Sequence, residues 1–171
     1  MAMAQRWLRV LRHRLVDEGD ARRLFGAAAL GRIEARVAAS ERRHSGEIRV
    51  CIEGGLPLAD LRREATARDR AVALFGTLGV WDTEHNNGVL IYLLVAERRI
   101  EIVADRGLSR RVDAGAFAAI ADSMGSAFKG GAYEAGLEQA IDAVDVLLCD
   151  HFALAEGQSN PNELPDSPVL G

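Results

Sequence analysis

A chain of 171 residues with 49% hydrophobic and 27% charged residues is long enough to bury about two-thirds of its potential surface in one core, which excludes a disordered or fibrous chain. The net charge of -4 is not that of a chain that coats nucleic acid and argues weakly against polyanion partners, and no apolar run approaches the roughly 20 residues that cross a bilayer. The charge is uneven: residues 1–16 carry Arg6, Arg9, Arg12 and Arg14 with no acid, while the stretch after His151 carries Glu156, Glu163 and Asp166 with no base.

In residues 3–16, Trp7, Leu8, Leu11 and Leu15 fall near one face of a helix, with arginines elsewhere. The arginines interrupt this stretch too often for an export segment. Cys51 and Cys149, each inside an apolar run, read as buried small side chains rather than a disulfide or metal pair, so the expected compartment is the cytoplasm, with peripheral membrane contact. The run DEGD at 17–20 breaks the helical pattern, and Asp20 suits the cap of a second helix reaching about Arg43 through Ala29, Ile33 and Val37. HSG at 44–46 stops it, and EIRVCIE at 47–53 reads as a strand.

After the turn GGLP at 54–57, residues 58–76 predict one long helix, enough to return the chain and make the flanking strands parallel. Residues 89–96 are apolar throughout and call for cover on both faces, whereas RIEIVAD at 99–105 alternates. The short connection between them allows only an antiparallel hairpin. Helices follow near 113–128 and 132–152, with Gly125 and Gly136 marking close helix packing. The final stretch holds three of the four prolines and no apolar period.

The expected fold is α/β, a three-layer α/β/α sandwich whose small mixed sheet contains a β-hairpin. Its expected parts are a basic amphipathic helix at 1–19, the α/β domain at 20–152 and a mobile acidic tail at 153–171.

The long helix ending in HSGEIRVCIE, the segment FGTLGVWDTEHNNGVLIYLLVAERRIEIVADRGL and the later AFKGGAYEAGLEQAI, in that order, resemble the TPM domain family. That family is named for thylakoid lumen, photosystem II repair and membrane-modulating proteins. The resemblance covers about residues 24–148. It implies the α/β/α sandwich and a role assisting membrane-protein complexes, with some members proposed to be acid phosphatases. Members commonly carry an export signal or membrane segment, which is not seen here, and the basic helix before residue 20 lies outside the typical domain.

Antiparallel pairing brings the polar loop before the central strand and the residue after its hairpin partner to one sheet end. There Asp82, Asn87 and Asp105 offer oxygen ligands for Ca²⁺ or Mg²⁺ rather than Zn²⁺, since no thiolate is near. Trp81, His85, Asn86 and Arg106 are candidates for ligand contact. The competing reading is structural: Asp and Asn hold turns through backbone hydrogen bonds, and Trp81 serves as a core lid. His13 and His44 read as solvent-facing or capping, and His151 as a helix-end residue.

The expected function is a non-enzymatic accessory or binding domain acting on a protein partner, not on nucleic acid. The alternative is a metal-assisted acid phosphatase using Asp82 or Asp105 and His85, although no phosphate loop, C-x5-R or Asp-x-Asp motif is present. The first helix either packs on its own domain or docks reversibly on an anionic membrane or an acidic partner.

Overall fold

A computed structural model describes residues 2–16 and 18–171. In chain order these form α1 (Ala2–Arg14), α2 (Glu18–Glu41), β1 (Ile48–Glu53), α3 (Leu58–Arg62), α4 (Ala67–Thr77), β2 (Val89–Leu94), β3 (Arg99–Ala104), α5 (Arg106–Ser109), α6 (Ala114–Lys129), α7 (Tyr133–Phe152) and β4 (Val169–Leu170). The sheet order is β3-β2-β1-β4. β1 runs parallel to β2, with Ile48 opposite Val89, and β2 runs antiparallel to β3, with Val89 opposite Ala104. A 3-10 turn at Val95–Glu97 and the left-handed Arg98 close the hairpin.

Strand alternation divides the apolar side chains between two layers. Ile48, Val50, Ile52, Val89, Ile91 and Leu93 meet Ile33 and Val37 of α2 and Leu137, Ile141 and Leu148 of α7. Cys51, Leu90, Tyr92 and Leu94 point the other way, onto Leu61, Ala71 and Leu74 of α3 and α4. All six residues of β2 are buried, as its unbroken apolar run requires. The α/β/α sandwich and its hairpin are therefore present as expected. Gly136 also behaves as expected, since a Cβ there would come within 2.8 Å of Ala127 Cβ on α6.

The chain departs from the sequence reading in several places. The single helix expected at 58–76 is two, because Thr66 and Asp69 form a reciprocal capping box that starts a new helix, and Glu64 turns the chain at φ 58°. α2 begins at Glu18, so Asp20 lies within it and pairs with Arg23 at 2.6 Å instead of capping. A non-helical residue, Gly26 (φ 71°), kinks α2. Asp17, read as part of the helix-breaking run, lies outside the described residues.

The reading of 153–171 as a mobile tail did not anticipate β4. Val169 and Leu170 pair in parallel with Cys51 and Ile52, and the buried Arg49 guanidinium donates to the carbonyls of Pro165 and Ser167. Proline and acid content concealed this strand because the tail is held through its own backbone, by the Arg49 guanidinium and the β1 edge, which leaves no apolar period in the tail itself.

Two histidines are also corrected. His13 is 4% exposed: Leu56 N donates to its Nδ1 at 2.9 Å, so Nε2 carries the proton and donates to Glu97 Oε1 at 2.8 Å. His44 is fully buried, with Nδ1 donating to Gly46 O at 3.0 Å and Nε2 against Ser40 Oγ at 2.9 Å. Burial lowers the pKa of His44.

Candidate functional site

The register of β2 and β3 sews the 81–88 loop to the turn after β3. Asp105 N donates to Gly88 O at 2.9 Å, and Gly107 N donates to Asn86 O at 2.8 Å. Asn86 reaches this geometry with φ 52°, a value Asn tolerates better than most residues. Gly107 lies so close to the loop that a Cβ would come within 2.5 Å of His85 O. This contact requires glycine.

Asn87, two residues before β2, is fully buried. Its N–H donates to Thr83 Oγ1 at 3.0 Å and its Nδ2 donates to Ser45 Oγ at 3.2 Å, while Oδ1 has no protein partner. Asp105 is 7% exposed and caps α5 by accepting from Arg106 N at 2.6 Å through Oδ1, while Oδ2 is likewise unpartnered. Two buried acceptors without donors at one strand end are costly for a fold, about 1–3 kcal/mol each, unless something else satisfies them. The donor set is oxygen only, which fits a hard divalent cation or ordered water. Among the described residues no three of His, Cys, Asp and Glu gather in a metal-ligand cluster.

The other predicted residues are placed differently. Asp82 is exposed, its N–H donating to Gly79 O at 2.9 Å, and among the described residues it makes no hydrogen bond with Asn87 or Asp105. Trp81 is 54% exposed with Nε1 donating to Gly76 O at 3.2 Å, so it is not a core lid. Arg106 is exposed beside Asp105, at 3.9 Å. His85 is exposed and borders a cavity of about 570 Å³ shared with Ser45, Arg111, His151, Phe152 and Gln158.

Ser45 and the 158–161 segment were missed as neighbours of this site. Arg111 stacks 4.6 Å over the Phe152 ring and donates to His151 O at 2.9 Å. The signal for Ser45 was present, since parallel pairing of β1 and β2 sets the residues before both strands side by side. Nothing in the tail's composition pointed to its crossing here. There Leu164 N donates to Glu47 Oε2 at 3.1 Å, and Glu163 accepts from Glu84 N at 3.2 Å.

Two further carboxyls are buried at this end. Glu41 Oε1 accepts from Ile48 N at 2.7 Å, and its other oxygen is unpartnered. Burial, reinforced by nearby Glu47 and Asp166, pushes the Glu41 carboxyl up to about 9 against the lowering effect of the Ile48 N–H. Burial also raises Glu47.

The family model described as the TPM domain matches residues 19–147. No curated protein matches the chain. The NMR structure of BA42 from the psychrophilic bacterium Bizionia argentinensis is similar at 26% identity, covering 86% of this chain and 95% of that one with a TM-score of 0.74. The solution structure of the N-terminal domain of a P. gingivalis protein is 25% identical, covering 78% of this chain and 83% of that one with a TM-score of 0.62. On the family match, which spans most of the sandwich and begins after α1, the chain belongs to the TPM domain family.

Proposed function

We propose that this TPM domain is a non-enzymatic binding module that assists a membrane-associated protein complex from the cytoplasmic side, with Ca²⁺ or Mg²⁺ held at the strand-end loops. The observation that carries the cation is the pair of unpartnered buried oxygens, Asn87 Oδ1 and Asp105 Oδ2. A cation there takes its remaining ligands from water and from the exposed Asp82 side of the loop, since Ca²⁺ needs about six to eight oxygens. With one buried carboxylate the affinity falls in the weak range, about 10⁻⁴ to 10⁻³ M. Trp81, His85, Asn86 and Arg106 lie in or beside the same loops, where they contact the partner.

Calorimetric titration of Ca²⁺ and Mg²⁺ into wild type and Asp105→Asn tests this. Binding in the wild type and its loss in a folded variant supports the reading, and equal or absent heats in both overturn it.

A second reading, a metal-assisted acid phosphatase acting on phosphomonoesters, is favoured by the cavity lined by Ser45, the residue that accepts from Asn87, where Arg111, His85 and His151 supply cationic or proton-donating groups. Hydrolysis of p-nitrophenyl phosphate that persists in pure protein and vanishes in Asp82→Asn and Asp105→Asn without unfolding replaces the binding-only reading with this one.

A further inference from the structure

α1 is amphipathic the wrong way round for a helix whose only task is to pack on its own domain. Its inward face is polar: Arg9 donates to Glu97 Oε1 at 2.7 Å and to Ala65 O at 2.7 Å, Arg6 pairs with Glu64 at 2.7 Å, and His13 is clamped between Leu56 N and Glu97. Among the described residues of α1, Val10 alone joins the apolar layer beneath α3 and α4. The outward face is the apolar one, with Trp7 71%, Leu8 64%, Leu11 55% and Leu15 71% exposed. The polar anchors fix this orientation. At 100° per residue, Arg12 and Arg14 border the stripe on its two sides, and both are exposed without an ion pair among the described residues.

We infer that this face docks α1 flat on an anionic lipid bilayer. Four large apolar side chains in two turns, bordered by cations on both sides, match the acyl boundary and the phosphate layer of such a surface. A second copy of the chain matches it less well, because a two-fold contact sets the same arginines together and residues 1–16 contain no acid to answer them. A groove of about 810 Å³ continues the face between α1 and α3, with Trp7, Leu58 and Leu61 along it and Arg62 at its rim. Its one carboxylate, Glu64, is already paired with Arg6. Among the described residues no helix is long and apolar enough to cross a membrane, so the contact is peripheral. It is independent of the cation proposed at the other end of the sheet.

Flotation of the full chain with phosphatidylcholine vesicles, with and without one-third phosphatidylglycerol, tests the inference. Fluorescence of Trp7 in the Trp81→Phe background follows the same event. The expected result is co-flotation on anionic vesicles alone at low salt, a blue shift of Trp7, and release as salt rises. Arg12→Gln with Arg14→Gln weakens partitioning on the order of 30-fold, at about fivefold per arginine. Leu8→Gln with Leu11→Gln abolishes it, and because these side chains are exposed both double variants keep the wild-type melting temperature. Absence of anionic-vesicle binding in the folded wild type overturns the inference, as does binding that survives the leucine variant. A concentration-dependent dimer by light scattering, removed by the leucine variant in a protein that binds no vesicles, assigns the face to a second copy instead.

Discussion

Replacing Glu41 by Gln should stabilise this protein, and by an amount that depends on pH. In the unfolded chain the carboxyl ionises near 4.5, while in the fold it is held up to about 9, so between these values folding takes up a proton. A raised carboxyl of this kind favours the fold most below pH 4.5, and its penalty grows as pH climbs towards 9 and is constant above. At pH 7 the interval is about 2.5 pH units, or about 3 kcal/mol at about 1.4 kcal/mol per unit. Gln keeps the oxygen that accepts from Ile48 N and removes the ionisation. Urea denaturation of both proteins at pH 5, 6, 7 and 8 should therefore show a stability difference near zero at pH 5, where the pH-independent cost of packing the amide offsets the small ionisation penalty, that widens in favour of the variant by roughly 1.4 kcal/mol per pH unit to about 4 kcal/mol at pH 8. A difference that does not change with pH, or a variant less stable than wild type at pH 8, would refute the assignment of Glu41 as a carboxyl kept neutral by burial.

Gly107→Ala forces a Cβ against His85 O and Asn86 O and should cost about 2–4 kcal/mol, read by chemical denaturation, with any cation affinity lost alongside. Glu97→Gln should loosen α1: despite burial, hydrogen bonds from Arg9 and His13 hold the Glu97 carboxyl below its usual range, so its contribution is complete above about pH 4.5 and fades as pH falls further. Faster hydrogen exchange confined to residues 5–14 checks this. Deleting residues 165–171 strips Arg49 of two carbonyl partners and bares the β1 edge, which should lower stability by at least about 2 kcal/mol and promote aggregation, measurable by melting and light scattering.

The sandwich was legible because period and burial agree. The unbroken run in β2 demanded cover on both faces, and the four residues between β2 and β3 left no room for a crossover. β4 was not legible, since a two-residue edge strand held by Arg49 and backbone bonds leaves no hydrophobic pattern. Of the strand-end residues, Asn87 and Asp105 could be paired from the hairpin register, whereas the exposure of Trp81 and Asp82 depends on how the chain leaves α4 at Gly79, with φ 71°, a detail local sequence does not encode. His13 and His44 were misjudged because a histidine satisfied by distant partners, Leu56 and Glu97 for one and Ser40 and Gly46 for the other, has no cluster of ligands near it in sequence.

Because β1 and β2 run parallel, α1 is pinned to the residues that follow them, at Leu56 and Glu97, while Asn87 and Asp105 sit at the opposite rim. Six strand residues at about 3.3 Å each separate the two by roughly 20 Å. With the strands upright on a bilayer that α1 meets, the loops stand clear of the headgroups and out of their surface potential, which decays within about 8–10 Å. What those loops meet is then chosen from the aqueous phase, and the height of the sheet sets the reach.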